Sequence, residues 1–346
     1  VVNKKPLLKS LLSVLALLPL LAGCDWTVMN PSGDIAVQQR DLILISTGLM
    51  LLIIVPVIIL TLYFAWKYRE SNAEAEYLPD WHHSNKIEFW VWFAPIVIII
   101  ILGAITWIYT HRLDPYRPLE RIDANRPVAA DVQPLTVQVV SLDWKWLFIY
   151  PEYGVASVNE LAAPVDRPIK FEITSSAVMN SFFVPALAGQ IYSMAGMKTQ
   201  LHAVINKAGT YEGFSANYSG HGFSHMRFKF LGLPQDGFDQ WLATAKATNA
   251  DLSREAYLTL AAPSEREPVA HYASVADGLF DAIVNMCVDG KTACMKDIMH
   301  HDMNRRSGLG GVAKIDSIFE ESVCSTTTAD KYLSLVEATP AVRVEQ

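Results

Sequence analysis

The sequence predicts an α+β membrane protein: a two-helix transmembrane hairpin, then a β-sandwich, then a C-terminal helical segment. Three observations predict it. Two long runs in the first third of the chain carry no charge, residues alternate apolar and polar after about Asp131, and helical patterning appears after Pro234. The composition agrees, with 346 residues that are 51% hydrophobic and 18% charged, against roughly 25% charged in an ordinary soluble domain. Mean hydropathy is +0.21. So apolar a chain is not disordered. Its 28 basic and 35 acidic side chains equally exclude a uniformly polytopic transporter. The net charge of −7 argues against a nucleic-acid partner, and four cysteines are too few for a disulfide scaffold.

Residues 1–23 read as a secretory signal. Lys4, Lys5 and Lys9 make a positive start and Leu11 to Leu20 a short apolar core, too short to span a bilayer, which takes about 20 residues. The run ends in Leu21-Ala22-Gly23-Cys24, which resembles a bacterial lipobox. That resemblance implies a diacylglycerol on the Cys24 sulfur and cleavage just before it. The alternative is ordinary cleavage nearby, with Cys24 a free thiol. Removing the segment takes away three lysines and no acid, which moves the charge from −7 to −10.

Residues 24–124 form the membrane segment. Leu42 to Trp66 and Phe89 to Tyr109 lack charges, and each is long enough to cross a hydrocarbon core of ~30 Å. Trp90, Trp92, Trp107 and Tyr109 lie near the ends of the second run, as an aromatic belt does. Pro56 and Pro95 are tolerated where neighbouring helices satisfy the freed carbonyls. A lipidated Cys24 lies outside the cytoplasmic membrane. The link from Lys67 to Glu88 is then cytoplasmic, and everything after Tyr109 is periplasmic. Basic residues flank both sides and do not decide the orientation.

Residues 125–235 read as the β-domain. Thr136–Val140, Ile169–Ile173 and Arg227–Phe230 alternate with the period of half-buried strands. Pro151–Gly154, Lys207–Gly209 and Ser219–Gly222 supply turns between strands. Several short strands over about 100 residues suggest a sandwich or barrel. Residues 236–346 read as helical around Phe238 to Lys246 and again from Val275 to Met286, with a loosely ordered tail.

Lipobox, hairpin and outer β-domain in this order resemble subunit II of the haem–copper respiratory oxidases. Asp143-Trp144-Lys145-Trp146 on an early strand, Ser181-Phe182-Phe183-Val184-Pro185 and Tyr211-Glu212-Gly213 carry the resemblance, which runs from Cys24 to about Met303. It implies a cupredoxin-like Greek-key sandwich. In the cytochrome-c-oxidising branch that sandwich holds a binuclear copper centre with thiolate, imidazole and thioether ligands. The family pattern puts its ligands here on Asn180, Ser215, Ser219, Phe223 and Met226. Only Met226 keeps a ligand side chain. No cysteine lies between Cys24 and Cys287 to restore the thiolates. The resemblance therefore implies the ubiquinol oxidase branch, of the cytochrome bo or ba type. The expected role is subunit II of a proton-pumping haem–copper ubiquinol oxidase that reduces dioxygen to water. This chain is then a structural subunit with no catalytic, cofactor or metal residue. Haem and copper are expected in the partner subunit I. The expected partners are subunit I, other oxidase subunits, membrane lipid and, through the complex, ubiquinol.

Glu88 opens the second apolar helix, and Ser84–Glu88 resembles the family segment whose glutamate stands at a proton-uptake channel. The alternative is an interfacial charge flanking a span. His82 and His83 read as interfacial. His221, His225 and Met226 offer a mononuclear metal set, against the usual solvated loop histidines. Trp144 and Trp146, two apart, read as one face of a strand packed on subunit I. Asp297, Met299, His300, His301, Asp302 and Met303 form a cluster soft enough for copper, against a solvated tail. Cys287 and Cys294 suit a disulfide with Cys324 left over, a pairing that sequence does not settle. Two rival functions stand beside the main one: a cytochrome c oxidase subunit II, and a membrane-anchored lipoprotein with no respiratory role.

Overall fold

The computed structural model describes residues 26–76, 80–129 and 131–306. The leader, Cys24, Cys324 and the last forty residues lie outside the described residues. Helix α1 spans Asp34–Lys67 and α2 spans Asn85–Arg112. Both run past the uncharged stretches, because Asp34–Asp41 and Asn85–Glu88 add polar turns to the apolar cores. The two helices pack as a hairpin and are long and apolar enough to cross a membrane. Their flanks are bare: Leu52, Leu62, Trp92 and Trp107 are each more than 60% exposed. In water such a surface would be costly, so lipid or a partner must cover it. The hairpin anchors the chain in a membrane.

The strands follow in order: β1 Arg121–Asp123, β2 Arg126–Pro127, β3 Leu135–Leu142, β4 Lys145–Tyr150, β5 Val155–Val158, β6 Glu160–Pro164 and β7 Ile169–Ser175. After them come β8 Asn180–Phe183, β9 Ile191–Ser193, β10 Thr199–Ala203, β11 Gly209–Ser215 and β12 Arg227–Leu233. The C-terminal segment adds α3 Gln235–Lys246, β13 Asp251–Leu252, α4 Arg254–Ala261, β14 Ala270–Tyr272, β15 Ser274–Val275, α5 Leu279–Val284 and α6 Met295–Arg306. One sheet has the order β10-β7-β3-β4-β5-β14 and the other β6-β12-β11-β8-β9. They face each other across a core that includes Val137, Trp146, Phe148, Phe171, Phe182, Phe228 and Phe230. The strand pattern suggested a sandwich or barrel, and the structure is a sandwich, of the cupredoxin-like kind that the family resemblance implied.

The six-stranded sheet is covered on both faces. Its outer side carries Val140, Leu142, Leu147 and Ile149, packed under Leu252, Tyr257, Leu279, Phe280 and Ile283 of the C-terminal segment. β4 is consequently buried at all six positions, where an open sheet would alternate. Lys145 pays the desolvation cost within it. Burial pulls its ammonium below the usual lysine range, and its Nζ donates to the Ala262 carbonyl (2.8 Å) and Ser264 Oγ (2.5 Å).

Two sequence expectations need correction here. Residues Val275 to Met286 are not one helix. Ser274–Val275 pairs in parallel with Asp251–Leu252, and the helix begins after Gly278, whose φ of +66° breaks it from the strand. Trp144 and Trp146 do not share a strand face. Trp144 sits in the turn between β3 and β4 at φ +65°, whereas Trp146 is fully buried between the sheets. Trp146 therefore cannot pack on another subunit.

Candidate functional site: a hydroxyl and amide cluster at the copper positions

The five positions to which the family resemblance points come from β8, from the end of β11 and from the loop leading into β12. β11 pairs with β8 through Phe214↔Phe183 and Ser215↔Phe182, which sets Ser215 beside Asn180. Ser215 Oγ donates to Asn180 Oδ1 at 3.0 Å and lies 3.1 Å from the Asn217 carbonyl. The Ser215 N–H donates to the Met226 carbonyl at 3.2 Å, closing the loop at its base. Ser219 Oγ approaches the Met226 sulfur at 3.9 Å. Asn180, Ser215 and Met226 are all buried. The structure thus brings four of the five positions together. Phe223 opens a short turn, Phe223–His225, and packs edge-on against Tyr218 with ring centroids 5.6 Å apart.

The donor set decides what this cluster can hold. Two hydroxyls, a carboxamide and one thioether offer no thiolate and no imidazole, whereas a bridged copper pair needs soft anionic sulfur. A serine hydroxyl does not ionise in reach of neutral pH, and a phenyl ring does not coordinate. The residues present do not fit the binuclear centre. They form instead a closed hydrogen-bonded rim, with the aromatic core directly beneath: Trp146 lies 5.6 Å from Phe182 and from Phe228, and these two rings stack at 5.5 Å. Gly213 admits Phe228, since a Cβ there would come within 2.1 Å of the phenyl ring.

His221 and His225 do not turn inward towards Met226. His221 Nδ1 lies 2.5 Å from Glu265 Oε1, and His225 Nε2 accepts from Arg266 at 3.1 Å. Trp144 lies over the loop and donates from Nε1 to the Ser219 carbonyl at 3.0 Å. A Cβ on Gly222 would come within 2.5 Å of its ring, so the close approach requires glycine. Glu265 and Arg266, which clamp the loop from the C-terminal segment, escaped the sequence reading. They lie more than 40 residues away from their histidines, and no local pattern marks them.

The remaining candidates are placed as follows. Glu88 stands in the first turn of α2 with its carboxylate 2.6 Å from His83 Nδ1, at the hairpin end remote from the β-domain. Cys287 and Cys294 form a disulfide. Asp297, Met299, His300, His301, Asp302 and Met303 lie on α6, and no group of three or more His, Cys, Asp or Glu gathers among the described residues.

Two families match the chain. The one described as cytochrome c oxidase subunit II, periplasmic domain, covers residues 154–230, and the COX aromatic rich motif covers 246–291. A cytochrome bo(3) ubiquinol oxidase subunit 2 from Pseudomonas aeruginosa is 56% identical over 265 residues, 77% of either chain. The chain belongs to the ubiquinol oxidase subunit 2 family of haem–copper oxidases. The subunit of that name from Pseudomonas putida is 52% identical over 82% of this chain and 87% of its own. The ubiquinol oxidase subunit 2 of Acetobacter aceti is 49% identical over 82% and 92%. In this chain the aromatic-rich motif has a visible task. It spans Glu265 and Arg266, and also Tyr257, Phe280 and Ile283 on the outer face of the six-stranded sheet.

Proposed function

We propose that this chain is a copper-free, non-redox subunit II of a proton-pumping ubiquinol oxidase that reduces dioxygen to water. One observation carries the reading: hydroxyl, amide and phenyl groups stand at four of the five family copper positions, and Asn180 and Ser215 among them are closed by hydrogen bonds to each other and to the Met226 and Asn217 segments. With no electron acceptor in the sandwich, electrons pass from ubiquinol to haem in subunit I, and catalysis belongs there. The hairpin packs on subunit I within the bacterial inner membrane, and residues 125–235 cap its periplasmic face. Cys24 carries the lipid, which fixes this orientation and leaves the Lys67–Glu88 link cytoplasmic.

In that orientation Glu88 faces the cytoplasm, and its carboxylate, held by His83, collects protons for subunit I. Glu88→Gln is expected to slow proton-coupled oxygen uptake severalfold, with haem content unchanged. An unaltered rate would make Glu88 only an interfacial charge. The whole reading is tested on the purified oxidase by oxygen uptake with ubiquinol and with reduced cytochrome c, together with near-infrared absorption. Ubiquinol alone should support turnover, and no band from a dinuclear copper should appear.

A further inference from the structure

The hairpin meets the sandwich at a ring of charges that the oxidase role leaves unused. The N–H groups of Ser32 and Gly33 each donate to the Ala186 carbonyl at 2.9 Å, and the His202 N–H donates to the Pro115 carbonyl at 3.1 Å. The start of α1 and the chain just after α2 are thereby fixed to the β-domain. Two adjoining cavities of about 520 and 140 Å³ lie at this junction and share Asp34, Gln38, Arg112 and Arg121.

Charge pairing in the larger cavity is uneven. Buried Asp34 accepts from Arg121 Nε and Nη2 at 2.9 and 3.0 Å and from the Gln38 amide at 2.7 Å. Asp41 is paired with Arg40 and Asp123 with Arg126. Every acid in that wall is thus satisfied by a cation. Arg112 and Lys207 also line the cavity, and neither meets a carboxylate among the described residues. The guanidinium of Arg112 rests 6.0 Å from the Tyr109 ring. Two uncompensated cations remain.

The height of Arg112 along the hairpin decides the class of ligand, and Lys207 reaches the same cavity from the β10–β11 loop. Arg112 follows Trp107 and Tyr109 at the end of an apolar helix, one turn past the aromatic belt, where headgroup phosphates lie. Cations at that level attract anionic headgroups, whereas a zwitterionic headgroup brings no net charge to them. We propose that this junction cavity binds the phosphodiester of an anionic phospholipid between Arg112 and Lys207, with the Asp34–Arg121 pair bracing its wall. The lipid would tie the hairpin to the sandwich at their only covalent crossing after α2.

Native mass spectrometry of the intact oxidase, titrated with phosphatidylglycerol, phosphatidylcholine or inorganic phosphate, tests this. Arg112 and Lys207 are both exposed, so Arg112→Gln with Lys207→Gln should fold. That pair should weaken retention of one phosphatidylglycerol by about tenfold or more, since each basic residue near a membrane surface contributes roughly fivefold. Arg112→Lys with Lys207→Arg should restore it, and phosphatidylcholine should not replace it. Three results would each overturn the proposal. The Gln variant could keep the full phosphatidylglycerol complement, or inorganic phosphate could displace the lipid at equal concentration. The variant could also shed subunit I with its lipids unchanged, which assigns the cations to a protein contact.

Discussion

The aromatic core of the sandwich and the rim above it lie a few ångströms apart and answer to different constraints. Trp146, Phe148, Phe182 and Phe228 are almost wholly buried and touch ring to ring at 5.0–5.6 Å along Trp146–Phe182, Trp146–Phe228, Phe148–Phe228 and Phe182–Phe228. The rim at Asn180, Ser215, Ser219 and Met226 is instead polar and held by hydrogen bonds of its own. The core supplies the hydrophobic stabilisation. The rim needs only internal satisfaction, because buried polar groups without partners are expensive. A sandwich of this kind can therefore dispense with metal ligands while its rings stay in place.

Removing the core should break that comparison outright. Phe182→Ala takes away the ring that Trp146, Phe171 and Phe228 pack on, at a cost of about 3–5 kcal/mol. Chemical denaturation should show the β-domain unfolding at much lower denaturant. The outer face of the sheet comes next. Cys287→Ser with Cys294→Ser opens a link of separation seven, worth about 2–3 kcal/mol by loop closure. Limited proteolysis should then cut first within the C-terminal segment, with the core still protected.

The rim should respond more weakly. Ser215→Ala strips Asn180 of its hydroxyl donor inside a buried cluster, and about 1–3 kcal/mol is the usual penalty. A loss as large as that of Phe182→Ala would show that the rim carries the fold, against this account. Acid offers a gentler probe. The Arg126 hydrogen bonds hold Asp166 below its ordinary 3.8. Burial pushes Glu172 up, but Lys170 and Lys198 outweigh it and leave that group below 4.5. Both pairs stabilise the fold fully above those ordinary values. Their contribution should shrink as the pH falls below about 4.5 and vanish once the folded carboxylates protonate, visible as a falling Tm in acid. Smallest of all is the loop clamp. Glu265→Gln removes an exposed partner of His221, an interaction worth about 0–1 kcal/mol, and should change Tm barely while loosening the loop in hydrogen exchange.

Much of this arrangement is legible in residue order. The hairpin shows itself because two runs without charge leave no other reading. The rim shows itself because the family pattern points to Asn180, Ser215, Ser219 and Met226, which the fold gathers. What stayed hidden has physical causes. The turn at Trp144 places a bulky residue at positive φ, which propensity disfavours, so the strand period reads straight through it. The full burial of β4 depends on a cover contributed from beyond residue 250. The clamp by Glu265 and Arg266, and the pairing of Asp34 with Arg121 across 87 residues, are long-range contacts with no local trace.

The copper-free role proposed for this subunit leaves it without an electron relay. The most direct measurement is the near-infrared spectrum of the oxidised, intact complex, taken alongside oxygen uptake driven by ubiquinol. The account predicts full turnover on ubiquinol and no dinuclear copper band. A dinuclear copper signal assigned to this chain, or equal turnover on reduced cytochrome c, would contradict it.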